Sequence, residues 1–307
     1  MSQFRQAGAA RFHTTGMVLA IVSASGFGTL PVLYRYAFSL GATTTGVLAW
    51  RFCLASVSMV IYCRILGLSL RVDRVTLAQV ALLGGGAYGG LSLLYSTSFR
   101  FIPAWLGTML FYVYPVATAF IARPVLGERL DRAKFHAMAL SLAGCLLIVG
   151  TPAIGGGLPI NVRGAVMALA SGVFYAAYSV VARKITANLQ PAVLSTHVTI
   201  WSAVFYVASA IVSGDRWAPA DARSWAVVLS LALVSTAIPM FALMGALSRI
   251  GATRTAILGT FEPLVSAALA LAFLGERFGW LQAAGAAAVL GSVLVVRRGM
   301  APEAREG

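Results

Sequence analysis

The chain has 307 residues, of which 59% are hydrophobic and 10% are charged, and its mean hydropathy is +0.86. This composition excludes an ordinary soluble domain and predicts a polytopic membrane protein. A net charge of +14 would suggest nucleic-acid binding in a soluble protein, but most Arg and Lys residues fall in short breaks between apolar runs, where they set membrane orientation. We therefore expect a lipid bilayer, and no nucleic acid, as partner.

The apolar runs predict ten transmembrane helices, because each approaches the roughly 20 residues that a helix needs to cross the hydrocarbon core. The first run follows Arg5 and Arg11 but is longer than the apolar core of a signal peptide, which favours a retained helix. The predicted spans are 16–35, 45–66, 75–96, 104–122, 134–150, 164–183, 192–213, 224–247, 254–274 and 280–296.

The basic residues predict the orientation of these spans. If the N-terminus is cytoplasmic, the loops after spans two, four, six and eight, together with the C-terminal tail, carry more Arg and Lys than the loops on the other side. The positive-inside rule therefore predicts that both termini are cytoplasmic. Trp105, Trp217, Trp225 and Trp280 fall at predicted outer ends, which is typical of an interfacial aromatic belt.

One pattern occurs twice in the chain. The segment from Tyr114-Pro115-Val116 to Leu126-Gly127-Glu128-Arg129 has the same spacing as the segment from Glu262-Pro263-Leu264 to Leu274-Gly275-Glu276-Arg277. The first Leu-Gly-Glu-Arg corner follows span four and the second follows span nine, so the predicted topology puts them on opposite sides of the membrane. Two five-helix halves in inverted orientation are the repeat arrangement of many secondary transporters.

The repeat divides the chain into two predicted domains, residues 1–153 with helices one to five and residues 154–307 with helices six to ten. A weaker match pairs Ala24-Ser25-Gly26 in helix one with Ala170-Ser171-Gly172 in helix six. The segment from Thr151 to Asn161 contains three consecutive glycines between two prolines, which is typical of a linker. We read the corners as turns whose glycines permit a tight reversal and whose charged pairs cap helix ends.

The order of several short motifs resembles that of a known family, the EamA branch of the drug/metabolite transporter superfamily. The resemblance extends from about Gly16 to Arg298 and rests on the two corners and three further motifs. These are Trp50-Arg51-Phe52, Phe111-Tyr112-Val113-Tyr114-Pro115-Val116 and Thr260-Phe261-Glu262-Pro263-Leu264. It implies a five-plus-five inverted-repeat transporter, which in bacteria is often an exporter of amino acids or other small metabolites from the inner membrane. We expect no cofactor.

Two ionisable residues within or near spans are candidate substrate-binding residues, since charge inside a membrane usually faces a cavity or a partner. Glu262 is predicted about eight residues into helix nine, before Pro263, at the position where the other half has Tyr114. It could bind a substrate amine or carry a proton, or it could be a structural carboxylate that bonds a neighbouring helix. Arg51 could hold a substrate carboxylate, or it could snorkel or bridge helices near the interface.

Aromatic residues are further candidates because ring faces and hydroxyl groups suit an amphipathic cavity, although each could instead serve packing. Tyr175 and Tyr178 lie on one helical face. The substrate-binding candidates are Tyr88, Tyr112, Tyr114, Tyr175, Tyr178 and Trp201, and Tyr95, on the same helix as Tyr88, could line the same cavity. His197, one turn before Trp201, could respond to pH or could be a packing residue.

Other functional classes lack their motifs. Every aspartate falls in a predicted loop, and the chain has no His-Glu-x-x-His zinc motif, Gly-x-Ser-x-Gly elbow or P-loop, so we expect neither an enzyme nor a primary pump. Cys53, Cys63 and Cys145 lie in apolar segments, and we expect no disulfide and no metal.

We therefore expect a secondary transporter, and several of its properties stay open. A zwitterionic amino acid, a nucleobase, a polyamine or a lipophilic drug would each suit the inventory of polar and aromatic residues, and a non-transporting receptor or assembly protein is a further alternative. Protons are a candidate coupling ion. The direction of net transport and the oligomeric state stay open as well.

Overall fold

The computed structural model describes residues 2–126, 135–136, 139–140, 142–144, 147, 160–185, 189–215, 217–259, 261–277 and 279–299. Within these ranges, thirteen α-helices and two π-helical segments are bounded as follows. They are α1 Ser2–Gly28, α2 Leu30–Ser39, α3 Thr44–Ile65, α4 Arg74–Ala81, the first π segment Leu82–Tyr88, α5 Gly89–Ser98, α6 Ala104–Phe111, α7 Tyr114–Leu126, α8 Val162–Ile185, α9 Pro191–Ser213, α10 Ala222–Ala232, the second π segment Leu233–Ala237, α11 Ile238–Leu258, α12 Phe261–Leu274 and α13 Trp280–Gly299.

The described part of the chain is all-helical, and it contains seven continuous or nearly continuous helices that are long and apolar enough to cross a membrane. These seven coincide with predicted spans one to four and six to eight. Two shorter apolar helices, Phe261–Leu274 and Ala283–Ser292, fall within predicted spans nine and ten. About half of predicted span five, the first Gly-Glu-Arg corner and most of the linker lie outside the described residues. The full set of ten spans and their orientation therefore stay predictions.

Helix one is interrupted, although the sequence predicts one uninterrupted span. The α1 helix ends at Gly28 and α2 begins at Leu30. Between them, the Thr29 hydroxyl donates to the Gly26 carbonyl at 2.7 Å and lies 2.6 Å from the Ser235 hydroxyl. The side chain thus satisfies a carbonyl at the break, and it joins the break to the second π segment.

The two π segments lie in predicted spans three and eight, the third helix of each half. In the first, a Cβ added to Gly84 would lie 2.7 Å from the Val198 carbonyl, so this glycine permits close contact with α9. The Ser202 hydroxyl donates to the Gly84 carbonyl at 2.8 Å, and Tyr206 donates to the Gly89 carbonyl. Side chains of α9 thereby bond carbonyls within and just after the widened turns, the kind of partner that irregular helices need in a membrane.

The predicted boundary between spans eight and nine is wrong. The helix after the second π segment does not end near residue 247 but runs on to Leu258, and the next helix begins at Phe261. Glu262 therefore lies in the first turn of α12, not eight residues into a helix. Tyr114 likewise begins α7, after a turn that interrupts predicted span four at Tyr112 and Val113. Pro115 follows Tyr114 and Pro263 follows Glu262, so both prolines lie in the first turn of a helix, where a missing backbone N–H has no cost.

The second corner is a turn, as predicted. Gly275 has φ +63°, a left-handed conformation that glycine adopts without a Cβ clash. The Glu276 carboxylate accepts hydrogen bonds from the backbone N–H of Ala104, at 2.9 Å to each oxygen, and so caps the N-terminus of α6. The prediction that Trp105 belongs to an interfacial belt is wrong, because its side chain is 3% exposed and packs in a core cluster with Leu106.

Candidate functional site

A cavity of about 250 Å³ lies among α1 to α3, the first π segment and helices α5 to α9, α11 and α12. Six of the residues predicted to bind substrate lie on its wall: Arg51, Tyr88, Tyr114, Tyr175, Tyr178 and Glu262. The rest of the wall is mainly apolar and aromatic. We call this space the tyrosine cavity. It combines an apolar lining with a few polar groups, as small-molecule sites do.

Arg51 is held in the wall by helices of both halves. Its Nε donates to the Thr236 hydroxyl at 2.8 Å, and its Nη1 donates to the Tyr34 hydroxyl. The guanidinium also lies 4.7 Å from the centroid of the Phe52 ring. Because the residue is 3% exposed, snorkelling is excluded, and the bridging alternative describes what the side chain does in this conformation.

The charge of Arg51 has no carboxylate partner among the described residues, since none lies within 4.0 Å of its guanidinium. Two hydroxyl groups and the faces of aromatic rings surround it instead. Hydroxyl groups do not neutralise a guanidinium, and five donors cannot all be used by two acceptors. The arrangement leaves Arg51 able to bind an anionic group that enters the tyrosine cavity.

Glu262 is bonded by a tyrosine behind the cavity wall. The Tyr112 hydroxyl lies 3.0 Å from Glu262 Oε2 and 3.1 Å from the Gly259 carbonyl oxygen, and it carries one hydrogen for these two positions. When Glu262 is ionised, Tyr112 can donate to it. When Glu262 is protonated, the carboxyl group can donate to the Tyr112 oxygen while Tyr112 donates to the carbonyl. The same atoms therefore provide a satisfied arrangement in both protonation states.

Four tyrosines on the wall form a continuous row of ring contacts. The ring centroids of Tyr114 and Tyr175 are 4.8 Å apart, those of Tyr175 and Tyr178 are 5.9 Å apart, and those of Tyr178 and Tyr88 are 5.2 Å apart. All four side chains are partly buried. The row runs from α7 through α8 to the first π segment, and it presents ring faces and hydroxyl groups to the cavity.

Three residues that were predicted to bind substrate lie outside this wall. Tyr112 is 2% exposed and contacts Glu262 from behind. His197 Nε2 lies 3.0 Å from the carbonyl of Leu70, in the loop between α3 and α4. Trp201 packs against the first π segment, where a Cβ added to Gly84 would lie 3.0 Å from the Cβ of Trp201. Their placement supports a positioning role for Tyr112 and packing roles for the other two.

The structure adds wall residues that sequence reasoning missed or did not select. Tyr34 and Ser92 line the cavity, together with Met240 and Met244, and Tyr95 lies on the wall as a cavity-lining tyrosine, the role the sequence suggests for it. A Tyr within predicted span one, or a Ser and a Tyr three residues apart in span three, was a signal available in the sequence. The two methionines carried no such signal, because flexible apolar residues are common throughout membrane helices.

The described residues contain no group of three or more His, Cys, Asp or Glu side chains that could hold a metal ion. Cys63 is buried and Cys53 is half-buried, and both are free thiols; Cys145 lies outside the described residues. The chemistry that the tyrosine cavity offers is therefore recognition: a cation at Arg51, a carboxyl group at Glu262, and aromatic faces that can contact an apolar or cationic group.

Known proteins that are similar to this chain include a transporter family, a named exporter and a probable efflux pump. The model of the EamA-like transporter family matches residues 14–150 and, a second time, residues 162–298. The threonine/homoserine exporter RhtA of Escherichia coli (strain K12) is 28% identical over 226 residues, which is 70% of this chain and 70% of that protein. A probable amino-acid metabolite efflux pump of Salmonella typhimurium is 27% identical over 239 residues, 73% of this chain and 78% of that protein.

A solved crystal structure is similar in fold. It has a TM-score of 0.67 and 20% sequence identity, and the match covers 94% of this chain and 99% of the other. At this identity the likeness concerns the arrangement of helices and says nothing about the substrate. Fold and function are separate questions, because one fold hosts many activities.

Proposed function

Because this chain belongs to the EamA-like transporter family, we propose that it is a secondary transporter that exports an amino acid or a related small metabolite across the bacterial inner membrane. The observation that carries the proposal is the presence of Arg51 and Glu262 on the wall of one cavity. A zwitterion needs one cationic and one anionic contact, and both are present. The names of the relatives, an exporter of threonine and homoserine and a probable efflux pump, favour the same class.

Alternating access between two inverted halves is the proposed mechanism. The family model matches each half separately, which supports a repeat. Contacts between the halves support it too. A Cβ added to Gly28 in helix one would lie 2.8 Å from the Glu262 carbonyl, and one added to Gly172 in helix six would lie 2.6 Å from the Phe111 carbonyl. In each case the first helix of one half packs on the fourth predicted span of the other.

These two contacts suit a rocking motion. Each half packs beside the interruption in the other half's fourth predicted span: Gly28 contacts Glu262 itself, and Gly172 contacts Phe111, just before the turn that leads to Tyr114. A movement of one half against the other would therefore change the surroundings of Tyr114 and Glu262. Proton coupling at Glu262 is part of the proposal, because the Tyr112 hydroxyl can bond the carboxyl group in both of its protonation states.

The test is a counterflow assay with purified protein in liposomes. Vesicles loaded with unlabelled threonine, homoserine or another amino acid should accumulate the labelled form of a true substrate, and vesicles loaded with a nucleobase, a polyamine or a lipophilic drug should not. Arg51→Gln should abolish counterflow of the same substrate. Counterflow with a substrate that has no carboxylate, unaffected by Arg51→Gln, would point to another substrate class. Absence of counterflow with every class would favour a receptor or assembly protein.

A further inference from the structure

A second cavity, of about 470 Å³, lies between the first turns of α3 and the end of α9. It shares no lining residue with the tyrosine cavity. We call it the Asp215 cavity. The residues on its wall that matter below are Gly46, Trp50, Cys53, Ile211, Asp215 and Trp217. Nothing in the proposed transport function uses it.

Two indole rings form walls of this cavity, and neighbouring residues hold each of them. A Cβ added to Gly46 would lie 2.9 Å from Cβ and 3.0 Å from Cε3 of Trp217, so the glycine is what lets this ring lie against α3. Trp50, one helical turn later, packs edge to face with Trp225, with ring centroids 5.1 Å apart. Fixed indole rings bind cations well, because the ring face is electron-rich. A side chain that is already held in place also loses little conformational entropy on binding.

A carboxylate lies at the same cavity. Gly214, with φ +69°, ends α9, and the Asp215 N–H that follows donates to the Ala210 carbonyl at 2.9 Å. One oxygen of the Asp215 side chain accepts the backbone N–H of Trp217 at 3.0 Å. No Arg or Lys that the structure describes lies within 4.0 Å of this carboxylate. The C-terminal end of α9 adds partial negative charge next to it.

The opposite side of the cavity continues into an apolar surface. Ile211 on the wall is 75% exposed and the adjacent Val212 is 88% exposed, as expected of side chains that face lipid tails. The site therefore brings together a carboxylate, two indole rings and a lipid-facing apolar surface, at the ends of two predicted membrane spans. A lipid headgroup lies at this level of a bilayer.

We propose that the Asp215 cavity binds the ammonium headgroup of a membrane lipid. The Asp215 carboxylate contacts the ammonium group, the rings of Trp50 and Trp217 flank it, and an acyl chain follows Ile211. A lipid with a purely anionic headgroup is disfavoured by the carboxylate. The proposal does not depend on which solute the protein transports.

Quenching of tryptophan fluorescence tests this proposal. Protein in phosphatidylglycerol nanodiscs receives a small fraction of phosphatidylethanolamine or phosphatidylglycerol with brominated acyl chains, since bromine quenches nearby indoles. We expect brominated phosphatidylethanolamine to quench more strongly, and Asp215→Asn to lower its relative affinity about tenfold through loss of the ion pair. Asp221→Asn is the matched control, because it removes an exposed carboxylate a few residues away and leaves an effective helix cap.

Three results would overturn the proposal. The first is equal quenching by the two lipids, and the second is a preference that survives Asp215→Asn. The third is found by adding decyltrimethylammonium: it binds saturably but displaces neither brominated lipid. The last result would mean that the cavity takes a free lipophilic amine and not a lipid.

Cys53 provides a second measurement that does not require lipid exchange. In a Cys63→Ala, Cys145→Ala background, its thiol is treated with methanethiosulfonates that carry either a trimethylammonium or a sulfonate group, and each rate is divided by the rate with a free thiol. We expect the normalised rate to be about tenfold higher for the ammonium reagent, and this preference to disappear in Asp215→Asn. Arg216, the neighbour of Asp215 in sequence, lies outside the described residues. Removing its positive charge by Arg216→Gln should increase the preference for the ammonium reagent. A normalised preference for sulfonate would overturn the proposal.

Discussion

The guanidinium of Arg35, on α2, forms an ion pair with Glu276, the glutamate of the second corner, with 3.4 Å between Nε and Oε1. Arg35 also donates to the carbonyls of Phe99 and Ile102 in the loop before α6. Glu276 in turn caps α6. One carboxylate therefore joins helix one, the start of helix four and the turn after helix nine, across the two halves of the chain.

Glu276→Gln should destabilise the folded protein. The side chain is 8% exposed and accepts charge-assisted hydrogen bonds that an amide cannot reproduce, so we expect a loss of about 1–2 kcal/mol, seen as a lower unfolding temperature of purified protein in detergent. Arg277→Gln is the control, because the adjacent Arg277 is exposed. If the two variants unfold at the same temperature, Glu276 does not have the stabilising role that its contacts indicate.

Glu262→Gln should uncouple transport from protons. The amide keeps the shape of the carboxyl group but cannot gain and lose a proton. We expect counterflow to continue, with a higher half-saturating substrate concentration because an anionic contact is lost, while an imposed pH gradient no longer accelerates uptake into proteoliposomes. Asp221→Asn, which changes an exposed carboxylate outside the cavity, should keep the response to the gradient. A Gln variant that still responds fully to the gradient would rule out Glu262 as the proton carrier.

Tyr112→Phe should impair proton-coupled transport without reshaping the cavity wall. The change removes the hydroxyl group that bonds Glu262, and a hydrogen bond to a charged group of about 1.4 kcal/mol corresponds to a tenfold change. We expect gradient-driven rates to fall about tenfold while the half-saturating substrate concentration stays near the wild-type value. A change confined to the half-saturating concentration would instead make Tyr112 a substrate contact, as the sequence predicts.

Arg51→Lys should weaken substrate binding although it conserves charge. A Lys ammonium cannot reproduce the planar fork that contacts Thr236 and Tyr34 while leaving donors free for a carboxylate. We expect the half-saturating concentration in counterflow to rise about tenfold. An amine analogue of the substrate that lacks the carboxylate should be affected little. Equal losses for the substrate and this analogue would mean that Arg51 acts through the structure of the protein.

Tyr114→Ala and Tyr178→Ala should each raise the half-saturating substrate concentration, because each removes a ring from the cavity wall. Stacking against an aromatic ring is worth about 1 kcal/mol, so a several-fold rise is expected, with unfolding temperatures close to wild type. Tyr36→Ala is the matched control, since that ring is 45% exposed and lies outside the cavity wall. Transport that is unchanged in both cavity variants would contradict an aromatic binding site.

The sequence by itself determined the class of protein and much of its layout. Hydrophobicity accumulates over a whole segment, so the spans near 45–66, 164–183 and 192–213 agree with α3, α8 and α9 to within a few residues. The repeated spacing also identified Tyr114 and Glu262 as equivalent positions, and both lie in a first helical turn on the cavity wall. These features depend on local composition and spacing, which a sequence contains directly.

The tertiary structure alone decided where helices are interrupted and which side chains meet. The break at Thr29 depends on a hydroxyl group of Ser235 that is 206 residues away, and Arg51 finds Thr236 at a separation of 185 residues. The interruption before Phe261 lies inside an apolar run, where hydropathy does not mark it. Tyr112 and Tyr114 look alike in sequence, yet one bonds Glu262 from behind and the other faces the cavity. Hydrogen bonds between distant helices set these outcomes, and segment hydrophobicity carries no record of them.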